Sequence, residues 1–193
     1  MDFLPVFLRL RQQRVLLVGG GHVALRKAQL LLRAHAELTV VALEICDDLQ
    51  SVLTAPHVCH RREYVDSDLD GVSLVVAATD DALLNRRVSQ AAQLRKLPVN
   101  VVDQPALCSF IFPSIVDRSP LLVAVSSGGS APVLSRLLRA RLETLIPSAY
   151  GSLVDLMGRY RDSVKARIMN TRSRMRFWEG VVNGPVGELM LSG

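Results

Sequence analysis

The sequence predicts a doubly wound α/β domain on a parallel sheet, then a small α/β unit and a helical C-terminal region. Three observations carry this. Up to Val102, short apolar runs alternate with helical stretches, the rhythm of parallel strands covered by helices on both faces. The stretch VLLVGGGHVALRKA at 15–28 joins such a run to a helix through three glycines. From Ser148 onward no strand pattern remains, only arginine-rich helical stretches.

The elements follow in order. Val15–Val18 is a continuous apolar run, as in a strand buried on both faces. His22 to about Ala34 reads as a helix, with Val23, Lys27 and Leu30–Leu31 at helical spacing. Leu38–Leu43 is a second strand, Cys46–Leu53 a short helix and Val58–Tyr64 a third strand. Ser73–Thr79 is a strand, followed by a helix over Asp81–Arg95 with acidic residues at its start and basic ones at its end, in accord with its dipole. Pro98–Val102 is the next strand. Then the rhythm changes: Cys108–Phe112 and Leu121–Val125 read as strands with no helix between them, SSGGSAP leads into a helix over Pro132–Leu145, and Pro147 ends it. The predicted parts are a Rossmann-like domain over 1–113, a small α/β unit over 114–147 and a helical region over 148–193.

Composition narrows the function classes. The chain has 193 residues and is 49% hydrophobic, which suits a packed globular protein. No apolar run approaches the ~20 residues of a membrane span. The start, MDFLPVFLRLRQQR, lacks the basic n-region and small-residue cleavage site of a signal peptide. Three scattered cysteines, Cys46, Cys59 and Cys108, read as free thiols in a reducing cytoplasm. Residues 1–113 hold 12 basic and 12 acidic side chains, whereas residues 114–193 hold 11 and 6. The whole excess of +5 therefore lies in the C-terminal part, where an anionic partner is expected.

The glycine turn is the first candidate site. Gly19-x-Gly21-x-x-Ala24 has the dinucleotide-binding spacing: a tight turn, a close backbone approach to a pyrophosphate, and a small residue where helix meets strand. The helix N-terminus adds free N–H groups for phosphate. A tight turn that binds nothing has the same spacing, but here it follows a strand and opens a helix. Glu44 lies 20 residues past Ala24, where an acidic residue bonds the ribose 2′-OH and favours NAD over NADP. A carboxylate that merely faces solvent at a strand end is the equal alternative.

Other chemistries find no support. There is no GK[ST] phosphate loop, and Tyr160 and Lys165 are five apart rather than the four of a Tyr-x-x-x-Lys pair. His57-Val58-Cys59-His60 sits in an expected strand, where neighbouring side chains point to opposite faces, so no metal site is assigned. Few aromatics, 5% in all, and no recognition motif argue against a nucleic-acid binder.

The motifs together resemble a known family. MDFLPVFLRL, VGGGHVALRKAQLLL, AATDD with Asn85, NVVDQP, SFIFPSIVDRSPLLVAVSSGGSAPVLSRLLR and the late RFWE are similar to the N-terminal part of siroheme synthase, the precorrin-2 dehydrogenase and sirohydrochlorin ferrochelatase family. The resemblance implies NAD-dependent oxidation of precorrin-2 to sirohydrochlorin, then insertion of ferrous iron as substrate. It places cofactor contacts on His22, Val23, Leu43 and Glu44, beside Gly19 and Gly21. It places the catalytic aspartate on Asp103 and a phosphorylatable serine on Ser127. It implies a tetrapyrrole substrate whose carboxylates suit the basic excess, no nucleic acid or membrane partner, and a homodimer formed through 114–147, with 148–193 binding tetrapyrrole.

The residues themselves accord with this. Asp103 ends a strand, where open α/β sheets bind ligands, and one carboxylate could act as base in both reactions; aspartate also suits a plain turn before Pro105. SSGGS before a helix offers an anion nest, or simply a serine cap. The alternative function is a non-catalytic NAD-sensing module on the same fold.

Overall fold

The computed structural model describes residues 2–192 and divides them into two units, one up to Phe112 and one from Pro113 onward.

The first unit is a five-stranded parallel sheet in the order β3-β2-β1-β4-β5. Its strands are β1 (Arg14–Val18), β2 (Glu37–Ala42), β3 (Val58–Arg61), β4 (Leu74–Ala77) and β5 (Val99–Val101). Its helices are α1 (His22–Arg33), α2 (Asp47–Val52) and α3 (Ala82–Leu94). β1 lies at the centre, with Leu17 opposite Val40 of β2 and Val76 of β4.

Strand alternation explains how the apolar runs are used. Val15 and Leu17 face one side and pack with Ala24, Ala28 and Leu31 of α1. Leu16 and Val18 face the other and pack with Val88 and Ala92 of α3. Because both faces are covered, β1 can be apolar at every position from Val15 to Val18. Each fully buried leucine contributes ~1.5–3 kcal/mol to this core.

Helix ends follow local chemistry. Asp81 is the N-cap of α3, its carboxylate accepting from the amides of Leu83 and Leu84 at 2.9 and 3.0 Å. The acidic charge expected in the first turn is thus the cap itself, and Arg95 stands just beyond the last turn.

In the second unit, β6 (Ser114–Arg118) and β7 (Leu121–Val125) form an antiparallel hairpin, followed by α4 (Pro132–Leu145), α5 (Ala149–Arg167), α6 (Thr171–Asn183) and α7 (Pro185–Leu191). Arg118 ties hairpin to helix by donating to the carbonyls of Ile146 at 2.7 Å and Glu143 at 3.1 Å, carbonyls that the end of α4 leaves unpaired.

Two expectations are corrected. Cys108–Phe112 is not a strand. The Ser109 amide gives one bond to the Val99 carbonyl, but side chains make the other links to β5: the Val99 amide donates to Ser109 Oγ, and Asn100 donates to the Phe110 carbonyl. The hairpin strand is instead Ser114–Arg118, whose polar Ser, Asp and Arg disguised it. The third strand also ends at Arg61 rather than Tyr64.

Candidate functional site

A cleft of about 1000 Å³ opens in the first unit at the carboxyl ends of β1, β2 and β4. The chain order reverses between β1 and β4, so this is the switch point where open α/β sheets take ligands. The glycine turn forms its floor. Gly19 has φ +124, and a Cβ there would meet the Ala78 carbonyl oxygen at 2.3 Å. A Cβ on Gly20 would meet the Glu44 carbonyl oxygen at 1.9 Å. Over Gly21 a Cβ would meet nothing within 4 Å. The first two glycines are thus required by protein packing, while the third leaves open space above the start of α1.

That open space suits a dinucleotide. Gly21 is the N-cap of α1 and no side chain caps the helix, so its first amides are free for phosphate oxygens. Ala24 is fully buried, as the helix–sheet contact requires. The residues present therefore fit the expected cofactor.

The cleft brings together Gly19, Gly21, His22, Val23, Leu43 and Glu44. His22 and Glu44 are exposed, and Leu43 is 68% exposed beside Glu44, just past the end of β2. Asp103 lies elsewhere, two residues beyond the end of the edge strand β5, exposed and with φ +58. It is not part of the cleft lining. Ser127 belongs to the second unit, where its Oγ accepts from the Ala131 amide at 3.0 Å.

The cleft also holds residues the sequence reading did not assign. Thr79 and Asp80 form its wall after β4. Buried Asn85 fixes that wall, donating to the Thr79 carbonyl at 2.8 Å while Thr79 Oγ1 donates back to its side chain at 2.8 Å. Arg62, Tyr64 and Arg87 line the cleft beyond β3. Arg62 makes two bonds to Asp68, at 2.9 and 2.6 Å, and this partner holds the Asp68 carboxyl below the usual carboxylate range. Burial, with Asp66 nearby, pushes the Tyr64 phenol up to about 12, so it stays protonated and cannot serve as a base at neutral pH. Local sequence carried no signal for these three, because only the crossing from β3 to α3 brings them together.

His57 lies just before β3 and its Nδ1 accepts from the Leu38 amide at 3.2 Å. Among the described residues no group of three His, Cys, Asp or Glu side chains could hold a metal. Nor is any helix among them long and apolar enough to cross a membrane.

Three family models match the chain. One described as NAD(P)-binding covers residues 6–114, a sirohaem biosynthesis protein central region covers 118–145, and a sirohaem synthase dimerisation region covers 149–193. The chain belongs to the family of the N-terminal part of siroheme synthase. Curated siroheme synthases from Thioalkalivibrio sulfidiphilus and Azotobacter vinelandii are 55% and 57% identical to it over its whole length. The chain spans 40% and 42% of those relatives. A solved structure, SirC, precorrin-2 dehydrogenase, shares the fold with TM-score 0.75 at 22% identity, covering 98% of this chain and 92% of that one. The siroheme synthase dimerisation label falls on 149–193, whereas the sequence reading put the dimer contact at 114–147.

Proposed function

We propose that the chain is an NAD-dependent dehydrogenase that oxidises precorrin-2 to sirohydrochlorin and then inserts ferrous iron to give siroheme. The observation that carries this reading is the open, uncapped helix start over Gly21 at the switch point, in a chain of this family. Gly19–Val23 would hold the pyrophosphate and Glu44 the ribose. When bound, NAD supplies the acceptor for the hydride that leaves precorrin-2. Asp103 takes the accompanying proton. In the second reaction two pyrrole N–H protons leave as iron enters, and the same carboxylate relays them to solvent, to which it is open. Incubation with precorrin-2 and NAD, followed by absorbance, is expected to give sirohydrochlorin, and ferrous iron added afterwards is expected to give siroheme. An unchanged spectrum at the first stage contradicts the reading.

Glu44 is expected to set cofactor choice, because a 2′-phosphate would face its carboxylate. NAD should bind more tightly than NADP, and Glu44→Ala should narrow the gap. Equal dissociation constants in the wild type would remove this role.

The second unit is proposed to form a homodimer. Within it Val116 and Leu153 are buried, but Leu134, Leu137, Leu145, Met175 and Leu189 are all more than half exposed. Apolar surface on this scale marks an interface, and the dimerisation match supports it. Light scattering should give twice the chain mass at micromolar concentration; a monomer would contradict the proposal. The exposed arginines of α5 and α6 are offered for tetrapyrrole carboxylates. Ser127 is retained as the modification site that the resemblance implies.

A further inference from the structure

Lys27 lies on α1, five residues past the helix start, and its ammonium rests against an aromatic ring on a side chain that is only partly exposed. The side chain is half-buried and Nζ sits 4.4 Å from the centroid of the Phe112 ring. Phe112 is itself held edge-on against Phe110 at 5.1 Å, and both rings pack on the core that α1 covers. Among the described residues nothing gives this ammonium a hydrogen bond or an ion pair. Burial pushes it below the usual lysine value; the charge of Asp103 offsets this in part, while Arg26 adds to it. The attraction of the aromatic face compensates some of the lost hydration, and among the described residues no protein group accepts from its three N–H donors. A cation so placed feels the charge of Asp103 but makes no direct ion pair among the described residues.

We propose that Lys27 is the docking cation for a carboxylate of the substrate, against the Phe112 ring and within electrostatic reach of Asp103. This rests on the reading that the substrate is a tetrapyrrole bearing acetate and propionate groups. A carboxylate is the ligand this site favours, because it would make the direct ion pair and accept the hydrogen bond that no protein group among the described residues supplies, in a partly dehydrated place where a charge-assisted bond is strong. A lysine that only held the cation–π contact with Phe112 would leave tetrapyrrole affinity unchanged when replaced.

The test measures dissociation constants for sirohydrochlorin and for NAD, with thermal midpoints, in the full chain and in Lys27→Met and Lys27→Arg. Lys27→Met keeps the stem and removes the charge; it should weaken sirohydrochlorin binding about tenfold or more. NAD binding and the thermal midpoint should stay at wild-type values, since the dinucleotide cleft does not include Lys27. Lys27→Arg, which keeps the charge, should recover most of the affinity. Wild-type sirohydrochlorin affinity in Lys27→Met overturns the proposal. So does a loss of NAD affinity or thermal stability in parallel, or no recovery with arginine. A wild-type chain that binds no sirohydrochlorin strikes the tetrapyrrole reading itself, and this inference falls with it.

Discussion

Asp103→Asn is expected to slow precorrin-2 oxidation by ~10²–10⁴-fold, the usual cost of losing a general base. The substitution is clean for a structural reason. Asp103 has φ +58, a left-handed conformation that asparagine accepts and that most side chains resist. Size, backbone and much of the hydrogen bonding survive, while the basicity does not. NAD affinity should barely change, because the cleft that fits the dinucleotide does not include Asp103. Iron insertion should fall with oxidation if one carboxylate serves both steps. Wild-type oxidation by the variant would exclude Asp103 as the base, and chelation surviving alone would refute a shared base. Asp103→Ala would be harder to interpret, since it adds backbone strain to the chemical loss.

The glycine turn yields a second large effect, split between two neighbouring positions. Gly20→Ala places a methyl group 1.9 Å from the Glu44 carbonyl oxygen and 2.9 Å from the Ile45 Cα. Both are backbone atoms, and the Cys46 amide donates to the Gly20 carbonyl at 2.9 Å, so the two segments are tied together. Overpacking of this kind costs ~1–3 kcal/mol or more. Urea unfolding should show that loss, and NAD binding should fail because Glu44 is displaced. Gly21→Ala meets no protein atom within 4 Å, and its φ of −88 suits alanine. It should fold with nearly wild-type stability and still bind NAD poorly, since the methyl occupies the space left for the pyrophosphate. Equal behaviour of the two variants in both assays would contradict the division between packing and ligand space.

Much of this was legible locally. The strand at β1, the glycines and the helix after them lie within one short stretch, and the pattern of buried runs gave the parallel sheet because both of its faces are covered. The exchange of Cys108–Phe112 for Ser114–Arg118 shows where local reading fails. CSFIF has the higher strand propensity, yet its backbone is held to β5 largely through Ser109 and Asn100 side chains. SIVDR reads as polar, yet it pairs with LLVAV residue by residue, from Ser114 opposite Val125 to Arg118 opposite Leu121. The far wall of the cleft was hidden for a related reason. Arg62 and Tyr64 are distant in sequence from Arg87 and meet it only through the crossover, with the Arg87 guanidinium 5.4 Å from the Tyr64 ring centroid. Lys27 was visible only as a member of a helical face, since its significance depends on an aromatic ring 85 residues later.

The most direct measurement is the stoichiometry of hydride transfer: wild-type chain, NAD and precorrin-2 mixed anaerobically, with NADH and sirohydrochlorin quantified together. One NADH should appear for each sirohydrochlorin formed, and neither without the protein. A chain that binds NAD tightly but forms no NADH from precorrin-2 would be a sensor of the dinucleotide rather than an enzyme, and would contradict the account.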